Sequence, residues 1–110
     1  DAHLTDDGWV FHRPRQEAKA MVEQRANVLR ACREAGIPCF EKNFSLTQVY
    51  SADEAFTTGT FAGLAPVREI DGRVIGDGSA LPGSMTQRLQ ALYRDLIVRD
   101  VAFRAGARLA

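Results

Sequence analysis

The stretch Thr57-Thr58-Gly59-Thr60 holds the residue types of this chain that are best suited to chemistry. It follows a run rich in β-forming residues, so its hydroxyl groups and its glycine stand at the end of a predicted strand. Glycine lets a ligand approach the backbone closely, and free N–H groups with a threonine hydroxyl form a set of donors for an anion. The stretch therefore indicates a phosphate or carboxylate site. The competing interpretation is structural, because threonine is common in strands and glycine often marks a bulge.

The other polar candidates predict structural roles. His3 and His12 have no cysteine or carboxylate at metal-ligand spacing, so we predict surface or strand-end histidines and no metal site. Asp53 and Glu54 are adjacent, and neighbouring residues of a strand face opposite sides of the sheet. We therefore expect a solvated or helix-capping role for this acidic pair rather than joint acid–base chemistry.

Composition narrows the class of protein. The chain has 110 residues, with 14 basic and 14 acidic side chains, so its net charge is zero. A general binder of nucleic acid or of anionic membranes would carry a basic excess. No apolar run approaches the roughly 20 residues that span a bilayer. Cys32 and Cys39 are too few for a disulfide framework or a zinc site, and we interpret both as small buried hydrophobic residues. These features favour the cytoplasm. The chain begins at Asp1 without a methionine, so residues can be missing upstream.

The first half of the chain predicts a strand, a helix and a second strand. Residues 8–12 form the first strand, and residues 37–44 form a strand near a sheet edge because of Pro38. Between them, Glu17–Ala35 predicts a helix that ends before Gly36. Its apolar stripe has members at spacings of three and four: Ala18, Met21, Val22, Val28, Leu29, Cys32 and Ala35.

The second half begins with a helix signature. Ser45 and Gln48 form a capping box, and Phe44 is placed to pack on Val49. A strand then covers residues 54–60. Residues 64–76 predict a hairpin whose turn, at Asp71 and Gly72, tolerates positive φ.

The last predicted element is a helix whose N-terminus carries a second capping-box pattern, formed by Ser84 and Gln87. We expect the end of the chain to fray. The order is β, α, β, short α, β, ββ hairpin, α. It predicts one α/β or α+β domain over residues 1–110, with a mixed sheet and two longer helices.

The longer string "YSADEAFTTGTFAGLAPVREIDGRVIGDG", followed by "MTQRLQALY", resembles the C-terminal part of the class IV pyridoxal-phosphate-dependent aminotransferases, which include branched-chain and D-amino acid aminotransferases. The resemblance extends over residues 26–96, and "LRACREAGIPCFEKNFSLTQVY" belongs to it. Residues 1–25 diverge from the family pattern. The matching positions are Ala52, Asp53, Glu54, Phe56, Thr58, Gly59, Thr60, Pro66, Val67, Ile70, Asp71, Gly72, Arg73, Ile75, Gly76, Thr86, Arg88, Leu89 and Gln90.

The resemblance implies roles at the end of the third predicted strand. Thr60, with the backbone of Gly59 and Phe61, corresponds to the family's contacts with the cofactor phosphate. Phe61 and Ala62 correspond to contacts with the substrate carboxylate. The bulk of Phe61 is expected to narrow that pocket. The resemblance also implies an amino acid and a 2-oxo acid as substrates, and we expect a homodimer.

Two departures from the family pattern limit what carries over. The family's Schiff-base lysine and the carboxylate that pairs with the pyridine nitrogen lie upstream of the matching region. Lys19 and Lys42 do not occupy the lysine's position, so we assign no catalytic residue to this chain. The family's phosphate-gripping loop and helix start is replaced by Ala20–Arg25, where Glu23 would repel a phosphate. We therefore expect weak or absent binding of pyridoxal phosphate.

Three hypotheses remain open from the sequence. The chain is part of a class IV aminotransferase that needs an N-terminal portion for activity. Alternatively, it is a stand-alone domain that kept the scaffold, lost catalysis and serves as a binding or interaction module. The third hypothesis is a lyase of the same fold that acts on an amino-substituted cyclic acid.

Overall fold

The structure, a computed structural model, describes residues 2–12, 19–60, 63–77 and 81–109, and for residues 59–60 and 103–109 it describes the backbone alone. The described strands are β1 (Ala2–Thr5), β2 (Gly8–Phe11), β3 (Cys39–Glu41), β4 (Ala55–Thr60), β5 (Gly63–Pro66), β6 (Glu69–Ile70) and β7 (Arg73–Val74). The described helices are α1 (Lys19–Glu34), α2 (Leu46–Tyr50) and α3 (Ser84–Leu109).

Five of the strands form a mixed sheet in the order β3-β2-β1-β4-β5. Among the described strands, only β2 and β3 pair in parallel, and α1 lies in the crossover between them. The remaining pairs are antiparallel, and β6 with β7 makes a separate two-stranded hairpin. The predicted fold class, a mixed sheet with two longer helices, is confirmed.

One face of the sheet, here called the helix face, carries Trp9, Phe11 and Phe56. These side chains are almost fully buried against Val28 of α1 and Leu89 of α3. Burial of large apolar side chains is the main driving force for folding. The helix face therefore contains the larger core of the molecule.

The opposite face, here called the hairpin face, is covered by α2 and by the segment around the β6–β7 hairpin. Its smaller core joins Val49 of α2, Ala55 of β4 and Ile75, with Phe44 and Ile70 packed against them. Ala55 and Phe56 are neighbours on one strand, so their side chains enter different cores.

Several local predictions are confirmed. Ser45 caps α2 and forms the capping box with Gln48, with both hydrogen bonds present at 2.9 and 3.3 Å. Asp71 and Gly72 have φ values of 52° and 79°, as a type I′ turn requires. Ala20–Gln24 is helical, within the helix predicted from Glu17, although residues 17 and 18 lie outside the described part of the chain.

Other predictions need correction. Residues 2–5, for which no element was predicted, form β1 in the middle of the sheet. The first apolar run of the predicted 64–76 hairpin pairs instead with β4, so the hairpin is limited to β6 and β7. Both differences arise because strand pairing is decided by distant partners rather than by local sequence.

The ends of the helices differ as well. Met21 and Val22, which were assigned to the buried stripe of α1, are 36% and 42% exposed. The chain end, where fraying was expected, has helical backbone to Leu109. The predicted capping box at Ser84 is wrong, because Ser84 is itself the first residue of α3 and the side chain of Gln87 donates to the carbonyl of Pro82.

Candidate functional site at the end of strand β4

The candidate anion site lies at the end of β4, beside the start of β5. Thr57 pairs with Ala65 and Thr60 pairs with Gly63, and the register shifts between these two pairs. Such an irregularity interrupts the regular ladder, and bulges of this kind often lie beside functional sites. The predicted strand end with Gly59 and Thr60 is therefore present, with an irregular backbone next to it.

Helix α3 supports this strand end from the helix face. The amide of Gln90 donates to the carbonyl of Leu64 at 2.8 Å. Gly63 has φ +83°, and a Cβ there would lie 3.5 Å from the ring of Tyr93. Thr58 on β4 is buried. Strand β5, the pairing partner of β4, is thus in direct contact with α3.

The four predicted site residues are described to different extents. The backbones of Gly59 and Thr60 lie together in the last two positions of β4. Phe61 and Ala62, predicted to contact the phosphate and the substrate carboxylate, lie outside the described residues. For the predicted site, the structure therefore describes only the backbone positions of Gly59 and Thr60.

The segment Ala20–Arg25, which replaces the family's second phosphate contact, is helical. Lys19 and Glu23 stand one turn apart at the start of α1, with 4.0 Å between the Lys19 ammonium and the Glu23 carboxylate. Both side chains are exposed, so the pair contributes little to stability. Further along, Arg25 is buried and lies 3.8 Å from Glu41 of β3, which ties α1 to the sheet.

The N-terminus of α3 is already capped by a carboxylate of this chain. Glu54, the residue before β4, accepts hydrogen bonds from the backbone N–H groups of Thr86 at 2.8 Å and Met85 at 3.1 Å. A negative charge at this position also complements the helix dipole. The capping role expected for the Asp53–Glu54 pair is confirmed for Glu54. Nothing in the sequence near Glu54 indicated which helix it would cap, because that helix begins about 30 residues later.

Neither lysine of the chain is placed for covalent chemistry at the end of β4. The Lys19 side chain is 92% exposed. Lys42 lies just beyond β3 at the far edge of the sheet, and its side chain is exposed. Its backbone N–H donates to the backbone carbonyl of Phe11 at 3.1 Å. Since β3 and β4 are three strand spacings apart, Lys42 lies roughly 14 Å from β4. Both lysines are thus exposed, Lys19 on α1 and Lys42 just after the edge strand β3.

The two histidines lie on the hairpin face, on either side of Phe44. The ring centroids of His3 and His12 are 4.5 and 5.2 Å from that of Phe44. His3 was predicted to be a surface or strand-end histidine; it is the second residue of β1 and only 2% exposed, so the surface alternative is wrong. Burial, and then the positive charge of Lys42, lower the pKa of His3 below its usual range.

A cavity of about 330 Å³ opens beside the histidines, lined mainly by apolar side chains together with Thr57. The buried Nδ1 atoms of His3 and His12 have no hydrogen-bond partner. The signal for His3 was absent from the sequence because β1 itself was not recognised. Within residues 2–12, 19–60, 63–77 and 81–109, no three His, Cys, Asp or Glu side chains are grouped to hold a metal ion.

Among the helices that the structure describes, none has both the length and the apolar character that a membrane crossing requires.

The sequence of this chain is similar to a family model and to known proteins. Residues 24–70 match the family model described as amino-transferase class IV. A branched-chain-amino-acid aminotransferase of Pseudomonas aeruginosa is 45% identical over 94 residues, covering 86% of this chain and 30% of that protein. A D-alanine aminotransferase of Bacillus licheniformis is 37% identical over 78 residues, covering 71% of this chain and 27% of that protein.

A solved structure shows the same fold. The T.th. branched-chain amino acid aminotransferase, complexed with N-(5'-phosphopyridoxyl)-L-glutamate, has a TM-score of 0.71 at 30% identity. The match covers 86% of this chain and 30% of that one. The chain thus spans less than a third of the length of each of these three relatives.

Proposed function

The chain is a relative of the class IV aminotransferases, and from this premise we propose that it acts as the C-terminal part of such an enzyme. Amino-group transfer would then require residues outside these 110, which supply the Schiff-base lysine. The observation that carries the proposal is the end of β4. Gly59 and Thr60 are the last two residues of a strand that lies inside the matched range 24–70, and α3 holds the neighbouring strand β5.

Pyridoxal phosphate is the cofactor that the family implies, and its fit to the described residues is partial. When bound, it supplies an electron sink for chemistry at the amino acid's α-carbon. Gly59, Thr60 and Phe61 would hold its phosphate, and Phe61 with Ala62 would face the substrate carboxylate. In contrast, α1 presents the exposed Glu23 where the family pattern has a phosphate-gripping loop.

Covalent catalysis is not assigned to any residue of this chain. Schiff-base formation requires an amine beside the cofactor, activated by desolvation or by a neighbouring charge. Lys19 is 92% exposed and Lys42 stands at the far sheet edge, so neither meets this condition. The chain's own contribution is to position an anion at the strand end and to form part of the enclosing wall.

The remaining features follow from the same proposal. The substrate is a branched-chain or related amino acid, with a 2-oxo acid as the amino-group acceptor. Residues 1–110 form a single domain of a homodimeric, cytoplasmic protein. The exposed apolar side chains of Met21 and Val22 on α1 are suited to a protein contact.

The experiment that tests the proposal is reconstitution. The chain is assayed for 2-oxoglutarate-dependent turnover of leucine, isoleucine, valine and D-alanine, alone and co-expressed with the N-terminal part of the Pseudomonas aeruginosa relative. We expect turnover only from the pair, lost with Thr60→Ala and kept with Thr47→Ala, an exposed threonine on α2. Turnover by the chain alone that disappears on mutating Lys19 or Lys42 would overturn the proposal.

A second candidate function is a stand-alone binding or interaction domain without catalysis. The helical backbone of Ala20–Gln24 favours it, because this segment offers no loop to grip a phosphate. Losing charge-assisted hydrogen bonds at about 1.5–3 kcal/mol each would weaken cofactor binding by about a hundredfold or more.

Titration of the chain with pyridoxal phosphate, followed by NMR, separates the two candidates. Millimolar binding with amide shifts at Gly59 and Thr60, strengthened by Glu23→Thr, supports descent of the site from an enzyme. Absence of any shift, together with failure of the reconstitution, supports the interaction domain.

A further inference from the structure

Helix α1 ends in a Schellman motif that folds the chain back beneath its own last turn. Gly36 adopts φ +71°. The N–H of Gly36 donates to Arg33 at 3.2 Å, and the N–H of Ile37 donates to Cys32 at 2.8 Å. These are the two hydrogen bonds that define the motif, in which the residue after the glycine returns to the helix end. The backbone therefore reverses direction directly at Cys32.

This reversal brings Cys39 back to Cys32. Cys39 is the first residue of β3, only two positions after Ile37. It is half-buried and packs against the apolar cluster that contains the fully buried Cys32 and Ile37. Cys39 is the register partner of Trp9, whose side chain belongs to the same cluster as Cys32, so the two cysteines lie on the same face of the sheet. They are also the only two cysteines of the chain, so neither has another intramolecular partner.

We propose that Cys32 and Cys39 form a reversible intramolecular disulfide when the protein meets a hydroperoxide. The inference is independent of the proposed transferase function, because it rests on the end of α1 and the start of β3. An oxidised cysteine pair would link the helix end covalently to the edge strand. It would close a loop of the few residues that already hold the Schellman turn.

The two thiols have different roles in the reaction. Burial, followed by the nearby Cys39, raises the pKa of the Cys32 thiol to about 12. Since the thiolate is the reactive form, Cys32 is a poor first nucleophile. Cys39 is more accessible, so it attacks the hydroperoxide, which is reduced to water or an alcohol as Cys39 becomes a sulfenic acid.

The second step uses the buried thiol. The sulfur of Cys32 displaces hydroxide from the Cys39 sulfenic acid, and the released hydroxide with the Cys32 proton leaves as water. In total, two thiols lose two hydrogen atoms and one hydroperoxide is reduced. Excess dithiol reagent reverses the reaction by thiol–disulfide exchange.

The test treats the full chain with stoichiometric hydrogen peroxide and measures its intact mass. We expect the loss of two hydrogen atoms, restored by dithiothreitol. Trypsin, which cleaves after Arg30, Arg33 and Lys42, should release peptides 31–33 and 34–42 as one linked species under non-reducing conditions. The oxidised chain should also unfold at a higher temperature than the reduced chain. A gain of oxygen atoms at Cys39 without the linked peptides would overturn the proposal.

Two variants make the test specific. In Cys32→Ser, the Cys39 sulfenic acid has no resolving thiol and should be trapped by dimedone. In Cys39→Ser, Cys32 should resist oxidation because it is fully buried. A mixture of nitrogen-labelled and unlabelled chain distinguishes the origin of the link, since hybrid linked peptides would show an intermolecular disulfide and refute the intramolecular one.

Discussion

The two faces of the central sheet differ in how completely they are filled. On the helix face, Trp9, Phe11 and Phe56 meet apolar side chains of two long helices and are almost fully buried. On the hairpin face, short elements leave a cavity of about 330 Å³ beside His3. The helix face thus has the packing of a folding core, whereas the hairpin face keeps space next to polar groups.

Each face also contains buried polar atoms without a hydrogen-bond partner, and these atoms differ in kind. On the helix face one of them is the indole nitrogen of Trp9, which stays uncharged at every accessible pH. On the hairpin face one of them is Nδ1 of His3, and an imidazole can take up a proton. The comparison indicates that the helix face contributes most of the folding stability, whereas the hairpin face makes that stability depend on pH.

The largest expected effect tests this division with one substitution made on each face. Phe56→Ala removes a ring that is 1% exposed and should lower the free energy of unfolding by about 3–5 kcal/mol. Phe44→Ala removes a half-buried ring beside the cavity and should cost less than half as much. Urea denaturation measures both, with Phe56→Leu as the milder variant if Phe56→Ala does not fold. Equal losses of unfolding free energy in the two variants would show that both faces contribute equally to stability.

An intermediate effect is expected at the Glu54 cap, which joins the start of β4 to α3 on the helix face. Glu54→Gln keeps the shape of the side chain but removes its negative charge and replaces one of the two carboxylate oxygens that accept backbone N–H groups. We expect a loss of about 1–2 kcal/mol in unfolding free energy. Asp53→Asn, at the exposed neighbouring carboxylate, is the matched control and should be near neutral.

A substitution at Gly83 provides a second test of the Glu54 cap. A Cβ at Gly83 would fall on the Glu54 carboxylate, so Gly83→Ala should displace the cap. In a Glu54→Ala background there is no carboxylate to displace, and the same glycine substitution should cost clearly less. Additive losses in the double variant would contradict a direct coupling between the two residues.

The parts of the fold that could be predicted are those encoded within a few residues. Gly36 ends α1, Ser45 with Gln48 starts α2, and Asp71-Gly72 turns the β6–β7 hairpin, because each motif satisfies backbone groups in its own neighbourhood. Sheet order and the partner of each strand depend on contacts across the chain. This is why β1, a four-residue strand paired on both sides, gave no local signal.

The candidate site shows the same limit. Its strand end at Gly59 and Thr60 could be located from residue types, and the match to the family model covers it. In contrast, Glu54 caps a distant helix whose Thr86 is 32 residues later in the chain, and the buried ring of His3 contacts Phe44, which lies 41 positions away just before α2. Such roles follow from tertiary packing, so spacing in the sequence could not assign them.

The smallest expected effect concerns His3 and the pH dependence of stability. Burial lowers the pKa of His3 in the folded chain below its ordinary value of 6.5. As the pH falls through 6.5, the unfolded chain binds a proton at His3 before the folded chain does. The free energy of unfolding therefore decreases with falling pH, from the ordinary pKa down to the lowered folded one. Above pH 6.5 both states carry a neutral imidazole, and this contribution to the pH dependence vanishes.

The measurement is the unfolding free energy of the native chain and of His3→Phe at pH values on both sides of 6.5. Asp6, Asp7, Asp53 and Lys42 line a neighbouring cavity with His3 and are present in both chains, so the difference between the two curves isolates the histidine. We expect the difference to grow in favour of His3→Phe as the pH falls below 6.5. Parallel curves for the native chain and His3→Phe would mean that the buried imidazole is stabilised equally in both protonation states. The hairpin face would then lose the sensitivity to pH that distinguishes it from the helix face.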